Sequence, residues 1–367
     1  MMISNISGSL VSFRGELLKK WFGLGYNVYA LAPSFKSEDK KWLKDNDITP
    51  VKYKLNRSGM NPVTDAKSLI SLKRRFAEIE PDYIFAYTVK PVIYSSLLSK
   101  KFDLKGMYSL IPGLGYAFMN RGWKNKIINR IVVLLYKMFL RNNDKVFFQN
   151  PDDRELFVRK GLIKQNKTVV VNGSGVDTDY YYFTEVDTSN CNFLMLSRLL
   201  KSKGVVEYIE AAKKVKNNYP EAVFNLAGSP GKGPDAVDME YVNEADEKGI
   251  IEYHGRLEDV RSAIEKCTAY VLPSYYREGT PRSVLEAMSI GRPIITTDNP
   301  GCRETVQNGH NGFLVSVKDA ETLADKMEYF IENPDQAAVM GKNSRKMAEE
   351  KYDVHKVNET ITEAMGI

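Results

Sequence analysis

Two doubly wound α/β domains, each a parallel sheet flanked by helices, are what this chain predicts. Short β-rich runs alternate with helical patterns along its whole length, the signature of βαβ units. The alternation restarts after a break at residues 171–183 (VNGSGVDTDYYYF), where glycines, aspartates and a tyrosine run interrupt the periodicity. The length of 367 residues, 43% of them hydrophobic, suits two ordinary domains with cores of their own.

The first half opens unusually, because only Met1 to Ile3 precede the turn expected at Asn5 to Gly8. A doubly wound sheet normally begins with five or six apolar residues, so either the chain starts late or its first strand is short and edge-like. Strands are expected at Asn27 to Ala32, Ile48 to Tyr53, Asp82 to Tyr87, Gly106 to Leu110 and Lys145 to Gln149. Helices are expected between them, at Ser12 to Phe22, Asp65 to Ile79, Pro91 to Ser99 and Trp123 to Leu140. The second half repeats the pattern with strands at Asn192 to Leu196, Ala222 to Leu226, Ile250 to Tyr253, Ala269 to Leu272, Pro293 to Thr296 and Phe313 to Val315. Ligands of such sheets bind at the carboxyl ends of the strands.

Composition narrows the class. No run of 18 or more uncharged apolar residues is present, which argues against a multispanning membrane protein. The N-terminus has no basic and apolar tandem marking export, and Cys191, Cys267 and Cys302 form no CxxC pair, so a reducing cytoplasm is expected and a zinc cluster is not. The net charge of +6 conceals an asymmetry: residues 1–175 hold 30 Lys and Arg against 14 Asp and Glu, whereas residues 176–367 hold 22 against 32. A first half at +16 points to an anionic membrane surface or a polyanion. No nucleic-acid module is recognisable. All three histidines, His254, His310 and His355, lie in the second half.

The densest chemistry lies in LPSYYREGTPRSVLEAMSIGRPII, residues 272–295. A buried strand ends at Pro273, a loop presents Glu278, Gly279 and Thr280, and a helix is expected to start with Thr280 as N-cap and Pro281 as its first residue. The free N–H groups and dipole of such a terminus suit a phosphate. Glu278 falls on the loop and Glu286 two turns into the helix, so the two carboxylates reach different parts of one elongated ligand, and carboxylates suit the vicinal diols of a sugar or ribose. Upstream, LSRLLKSKGVVEYIEAAKKV (196–215) places Arg198 and Lys203 between a strand end and a helix starting after Gly204. Together they are suited to neutralising a diphosphate, Arg by its planar fork and Lys as a point charge. A metal site of the DxD type is not expected, since Asp152-Asp153 and Glu258-Asp259 sit at helix starts, where acids belong anyway.

The run E-G-x-P-x-S-x-L-E-A-M, with Arg198, Lys203-Gly204 and V-N-G-x-G-V-D upstream, resembles the retaining family 4 glycosyltransferases of the GT-B fold, over essentially the whole chain. The resemblance implies two Rossmann-like domains facing across a cleft, 1–175 binding the acceptor and 176–367 the nucleotide sugar, with the last helix free to cross back and a hinge near Gly173 to Asp177. It implies that Glu278 contacts the donor hexose and Glu286 the nucleotide ribose. Arg198 and Lys203 would hold the diphosphate beside Gly279, Thr280, Pro281 and Ser283. The glycine-containing turn Ser7 to Ser9, with Gly8, would close over it. Tyr253 to Leu257, with His254, Arg256 and Leu257, resembles the base-binding loop, although His254 is equally readable as a packed strand-end residue.

The motifs S-F-R-G-E (12–16), Y-T-V-K-P (87–91) and P-G-L-G-Y-A-F (112–118) resemble bacterial transferases that extend polyprenyl-diphosphate-linked saccharides for surface polysaccharides or glycoproteins. This implies a UDP-hexose or UDP-N-acetylhexosamine donor, no metal, and an acceptor or donor-sugar side built from Arg14, Thr88, Lys90, Gly113 and Gly115. Where many family members have a histidine, this chain has Thr88, leaving Thr88 or Lys90 to take its place. The segment WKNKIINRIVVLLYKMFLR (123–141) is a basic amphipathic pattern, with Ile127, Ile131, Leu134, Leu135 and Met138 on one side and Lys126, Arg130, Lys137 and Arg141 around it. It suits peripheral attachment to the inner face of the cell membrane; its alternative is a helix packed on the sheet with a basic outer face. The rivals to a transferase are a UDP-N-acetylglucosamine 2-epimerase on the same fold and a non-catalytic sugar-nucleotide-binding scaffold.

Overall fold

A computed structural model describes residues 1–56, 59, 61–115, 122–189 and 191–367. Two compact units emerge, one of Met1–Ser174 with His355–Ile367 and one of Gly175–Val354.

The first unit contains β1 (Met2–Ile3), β2 (Tyr29–Ala32), β3 (Thr49–Lys52), β4 (Tyr83–Tyr87), β5 (Gly106–Ile111), β6 (Lys145–Phe148) and β7 (Thr168–Val170). They form one parallel sheet in the order β3-β2-β1-β4-β5-β6-β7. Its helices are α1 (Ser7–Gly23), α2 (Ser37–Asp45), α3 (Pro62–Ile79), α4 (Val89–Leu98), α5 (Gly122–Phe139) and α6 (Pro151–Arg159). The second unit continues with β8 (Asn192–Leu196), β9 (Val223–Ala227), β10 (Glu252–Tyr253), β11 (Ala269–Leu272), β12 (Ile294–Thr297) and β13 (Gly312–Val315), in the order β10-β9-β8-β11-β12-β13. It holds α7 (Val205–Asn218), α8 (Met239–Glu247), α9 (Arg261–Glu265), α10 (Arg282–Ile290), α11 (Ala320–Glu332) and α12 (Pro334–Met347). The last helix, α13 (Val354–Met365), packs Val357, Ile361 and Met365 into the first unit's core, and Trp21 Nε1 donates to Thr362 Oγ1 at 3.3 Å.

Both sheets are doubly wound and parallel, with their central strands apolar and buried on both faces as parallel sheets require. The short first strand is not an edge: β1 lies at the centre, Met2 and Ile3 pairing with both β2 and β4 at zero exposure. Two residues suffice there because both neighbours supply the ladder. Strand β7 is an addition that the sequence pattern does not predict.

In each sheet the strand order reverses once, between β1 and β4 in the first unit and between β8 and β11 in the second. Connections leave such a switch point in opposite directions, which opens a crevice at the carboxyl ends of those two strands. The topology therefore names two places to look.

Candidate functional site

At the second unit's switch point, the loop after β8 and the loop after β11 meet. Lys203 directs Nζ to both carboxylate oxygens of Glu278, at 2.7 and 2.6 Å, and Ser274 Oγ donates to the same carboxylate at 2.9 Å. Both members of the pair are largely buried, their side chains 13% and 17% exposed. Lys203 also lies 5.6 Å from the centre of the Tyr276 ring. The two loops are stitched by a bond from Tyr275 N–H to the Ser202 carbonyl at 2.9 Å. Gly204, with φ +81°, starts α7 so close to the β11 end that an added Cβ would lie 2.2 Å from the Pro273 carbonyl oxygen. Gly301, with φ +91°, backs Glu278 and Gly279 in the same way, its Cβ position being 2.2 Å from the Gly279 oxygen.

Arg198 stands just beyond β8, exposed. Among the described residues no hydrogen bond or ion pair engages its guanidinium, leaving the planar fork available to an anion. Helix α10 points its N-terminus at the same strand ends, but it begins one residue later than the sequence suggested. Arg282 is its first residue and Pro281, not Thr280, occupies the N-cap position, with extended ψ of 121° and no side-chain cap. The pyrrolidine φ of −66° fits an N-cap as well as a first helical position, so sequence does not fix which is used. Gly279 and Thr280 are buried in the loop, and Ser283 sits in the first turn of α10.

Glu286 accordingly lies in the second turn of α10 rather than two turns in. Its Oε1 accepts from the Tyr181 hydroxyl at 3.0 Å and from Arg282 Nε at 2.9 Å. Burial pushes the carboxyl above its ordinary value near 4.5, against the opposing pull of Arg282 and Tyr181. A raised folded-state value means that the stabilising contribution is complete at low pH and is lost as pH rises through it. A diol that hydrogen-bonds the ionised form reverses that preference. Affinity for a ribose-containing ligand is therefore expected to rise with pH through an inflection above 4.5. Glu286→Gln should flatten the profile in calorimetric titrations with UDP, and an unchanged profile would remove Glu286 from the ligand's contacts.

The proposed base-side segment follows β10. His254 is exposed, with Nε2 2.5 Å from Asn225 Oδ1; Arg256 is exposed, and Leu257 is half-buried against the core. The bond to Asn225 on β9 supports the strand-end reading of His254 as much as a ligand role. The Cys267 and Cys302 thiols are buried and pushed up to about 12, which makes them inert; Cys191 is half-buried.

The first unit's switch point has a different character. Ser7 to Ser9 form the opening turn of α1 instead of a loop, with Ile6 at the N-cap position and Gly8 helical. Helix formation starts at Ser7, ahead of the expected Ser12, because Ser7 Oγ donates to buried Asp39 Oδ2 at 2.5 Å and anchors that end. The Ser9 hydroxyl bonds those of Ser4 (2.9 Å) and Tyr87 (3.0 Å). Arg14 is only 3% exposed, its guanidinium 5.9 Å from the Tyr87 ring centre, so it supports the crevice from behind. Lys90, a candidate for the acceptor or donor-sugar side, donates to Asp65 (2.8 Å) and to the Asn56 carbonyl (2.8 Å). Gly113 and Gly115 follow β5 with φ of +145° and +60°; Tyr116 to Phe118 of the same motif lie outside the described residues.

Thr88, at the end of β4, is the anomaly. Its φ of 70° and ψ of 154° fall in a region that β-branched residues avoid, and among the described residues its buried hydroxyl has no partner. Each feature costs about 1–3 kcal/mol, whereas glycine there would cost about 0.5–1 kcal/mol in chain entropy. Thr88→Gly is thus expected to raise the melting temperature by a few degrees and, if the hydroxyl is held for a ligand, to lower turnover at least tenfold. A variant that is more stable and fully active would show that the strain serves no site.

Among the described residues no cluster of three or more His, Cys, Asp or Glu converges as a metal site, and no helix is long and apolar enough to cross a membrane. Sequence reasoning misses Ser274, Tyr181, Arg282 and Gly301, which position the two carboxylates and their loop. Only Tyr181 leaves a trace, in the tyrosine run that marks the domain boundary.

Residues 185–347 match the family "Glycosyl transferases group 1". The chain is 26% identical over 355 residues to the N,N'-diacetylbacillosaminyl-diphospho-undecaprenol alpha-1,3-N-acetylgalactosaminyltransferase of Campylobacter jejuni, covering 93% of this chain and 92% of that one. It is 23% identical over 279 residues to an Escherichia coli UDP-Gal:alpha-D-GlcNAc-diphosphoundecaprenol alpha-1,3-galactosyltransferase, covering 72% and 70%. In structure it is similar to Anabaena HepE, solved with UDP-glucose, at a TM-score of 0.80 and 18% identity over 100% of this chain and 98% of that one. A sucrose-phosphate synthase from Thermosynechococcus elongatus superposes equally well, at 0.80 and 17% identity over 99% and 96%.

Proposed function

We propose that this chain, a glycosyltransferase of the GT-B fold, moves a hexose or N-acetylhexosamine from a UDP-sugar to a hydroxyl of a polyprenyl-diphosphate-linked saccharide, with retention of configuration. The observation that carries the reading is the largely buried Lys203–Glu278 pair joining the loop after β8 to the loop after β11, with Arg198 exposed on that same β8 loop and Glu286 on α10, the helix that follows the Glu278 loop. The Campylobacter and Escherichia coli relatives are named for undecaprenyl-diphosphate-linked acceptors, which supports the acceptor class.

Breaking the bond between sugar and diphosphate develops negative charge on the leaving oxygens. Arg198, Lys203 and the α10 terminus are preorganised cations and dipoles for that charge, so the residues themselves supply the electrophilic role without a metal. The Lys203–Glu278 pair keeps both groups oriented before the donor arrives. Glu278 takes the donor sugar's hydroxyls and Glu286 the ribose diol, while the first unit, with its excess of cations, serves the acceptor.

The decisive experiment incubates the protein with a panel of UDP-, GDP- and ADP-sugars, with and without a polyprenyl-diphosphate-linked monosaccharide. One UDP-sugar should yield an acceptor-dependent disaccharide whose new linkage keeps the donor's anomeric configuration. Conversion of the nucleotide sugar without acceptor would replace the proposal with the epimerase, and no turnover despite UDP binding would leave a scaffold.

The same reading puts the protein on the cytoplasmic face of the membrane as a peripheral component. Helix α5 supports this: Ile127, Ile131, Leu134 and Met138 are 37–55% exposed and recur at i, i+4, i+7 and i+11, one outward stripe. Exposed Lys126, Arg130 and Lys137 run along its flank, with Arg141 exposed just past its end. Leu135, expected on that stripe, turns inward instead, packing against the core with Ile128, Val132 and Tyr136. The helix is therefore apolar on two faces, of which only one meets the sheet. Vesicles rich in phosphatidylglycerol should retain the protein at low salt, with roughly 1 kcal/mol from each cation near the surface. Leu134→Glu/Met138→Glu should release it; retention unchanged in that variant would exclude α5 as the contact.

A further inference from the structure

A second basic feature of the first unit lies apart from α5 and from the switch-point crevice. A groove of about 1060 Å³ opens between the end of β3 and helix α3. Among the described residues its lining includes Lys52, Lys54, Lys67, Arg74 and Arg75 and no Asp or Glu. Glu78 engages the two arginines. Among the described residues no carboxylate engages Lys52, Lys54 or Lys67. Three ammonium groups without a carboxylate partner thus line one groove, which suits an anion.

The groove is not uniformly polar. Leu55, Pro33 and the Tyr53 ring contribute apolar surface, and Ile70 on α3 is 69% exposed at its rim. Lys67, Ile70, Ser71 and Arg74 share one face of α3 by their spacing of three and four residues, so apolar and cationic groups are interleaved along the same wall. A small inorganic anion uses only the cations; an amphiphile carrying phosphate uses both. Two hydrogen bonds join the groove to the first unit's crevice. The Tyr53 hydroxyl donates to the Ser4 carbonyl at 2.8 Å, next to the start of α1, and Lys90 at the start of α4 donates to the Asn56 carbonyl at 2.8 Å. A ligand seated in the groove therefore lies beside the segment proposed to receive the acceptor.

We infer that this groove binds the diphosphate and first prenyl units of the lipid-linked acceptor. The inference deepens the acceptor assignment above and rests on it. Lys52, Lys54 and Lys67 hold the phosphate oxygens as point charges, while Ile70 and Leu55 meet the hydrocarbon. The saccharide is then anchored through its lipid end, independently of sugar identity.

The test is calorimetric binding of farnesyl diphosphate to the full chain at low salt with UDP saturating, which blocks the donor's own diphosphate site. Lys52→Ala/Lys54→Ala/Lys67→Ala removes exposed side chains and is expected to fold normally, with UDP affinity unchanged. The wild-type chain should bind farnesyl diphosphate and not farnesol, and the triple variant should bind it at least tenfold more weakly. In turnover with the lipid-linked acceptor the variant should show a raised acceptor KM at unchanged kcat. Equal binding by wild type and variant, or farnesol binding as tightly as the diphosphate, overturns the inference. A membrane headgroup is the other source of the same phosphate chemistry. If the triple variant loses retention on phosphatidylglycerol vesicles while keeping farnesyl diphosphate affinity, the groove is a headgroup site and the inference fails. Because the binding assay does not depend on turnover, a chain that transfers no sugar yet loses farnesyl diphosphate in the variant would overturn the transferase reading and leave the groove standing.

Discussion

Lys203→Ala is expected to lower kcat/KM by roughly 10²–10³, the range for deleting one preorganised electrostatic donor from an active site, while the chain stays folded. The side chain is largely buried, bonded to both oxygens of Glu278, and set at the end of the loop that leads into α7. Alanine removes the charge meant for the leaving diphosphate and takes the counter-charge from Glu278, although the Ser274 hydroxyl stays on that carboxylate. A part-buried carboxylate left in that state costs about 1–3 kcal/mol, so stability should fall as well as activity. The two effects separate in a double variant. Lys203→Ala/Glu278→Gln relieves the uncompensated charge and should recover most of the lost melting temperature without recovering turnover. Thermal unfolding beside steady-state kinetics measures both. Recovery of activity in the double variant would mean that Lys203 merely neutralises Glu278, and the assignment to the diphosphate would be wrong.

How much of this is readable in the sequence follows from burial. Strands such as β4, β5 and β11 are continuous apolar runs because parallel strands are covered on both faces, and such runs stand out against polar loops. Strand β7 does not stand out: Thr168–Val170 is three half-buried residues after a short turn. Helix α1 reads late because Ser7-Gly8-Ser9 has the chemistry of a turn, and nothing in the sequence marks Ile6 as the N-cap position. The bond from Ser7 to Asp39 that settles the matter spans 32 positions.

The site divides along the same line. Charged residues at strand ends are conspicuous, which is why Arg198, Lys203, Glu278 and Glu286 are legible. Their supports are not, since Tyr181 reaches Glu286 from 105 positions away and Gly301 acts through the space it leaves empty. Free and committed cations also look alike in sequence. Lys67 on α3 and Lys90 on α4 look alike as lysines, yet Lys90 is paired with Asp65 and Lys67 faces an open groove. Thr88 shows the limit most clearly, because its conformation is a property of backbone dihedrals that residue type argues against.

Gly204→Ala should be as damaging as Lys203→Ala, by a different route. Gly204 sits in the left-handed region at φ +81°, where alanine is strained by roughly 1 kcal/mol. The contact matters more: a Cβ would lie 2.2 Å from the Pro273 carbonyl oxygen and 2.6 Å from its carbon. Both are backbone atoms of the segment that leads into the Glu278 loop, so no side chain can swing aside. To regain ordinary van der Waals contact the β8 loop and the β11 loop must separate by more than about 1 Å, since the Cβ would start 2.2 Å from the carbonyl oxygen. That movement strains the Tyr275–Ser202 bond and pulls Lys203 from Glu278. Displacements of this size cost on the order of 10² in rate when catalytic groups are misplaced, and the strain should remove about 2–4 kcal/mol of stability. Unlike Lys203→Ala, no second substitution at Glu278 should restore stability, because the defect lies in the backbone and not in charge. Chemical denaturation of Gly204→Ala with and without Glu278→Gln distinguishes the two: recovery in the double variant would mean that the close approach of the loops at Gly204 is incidental to the site.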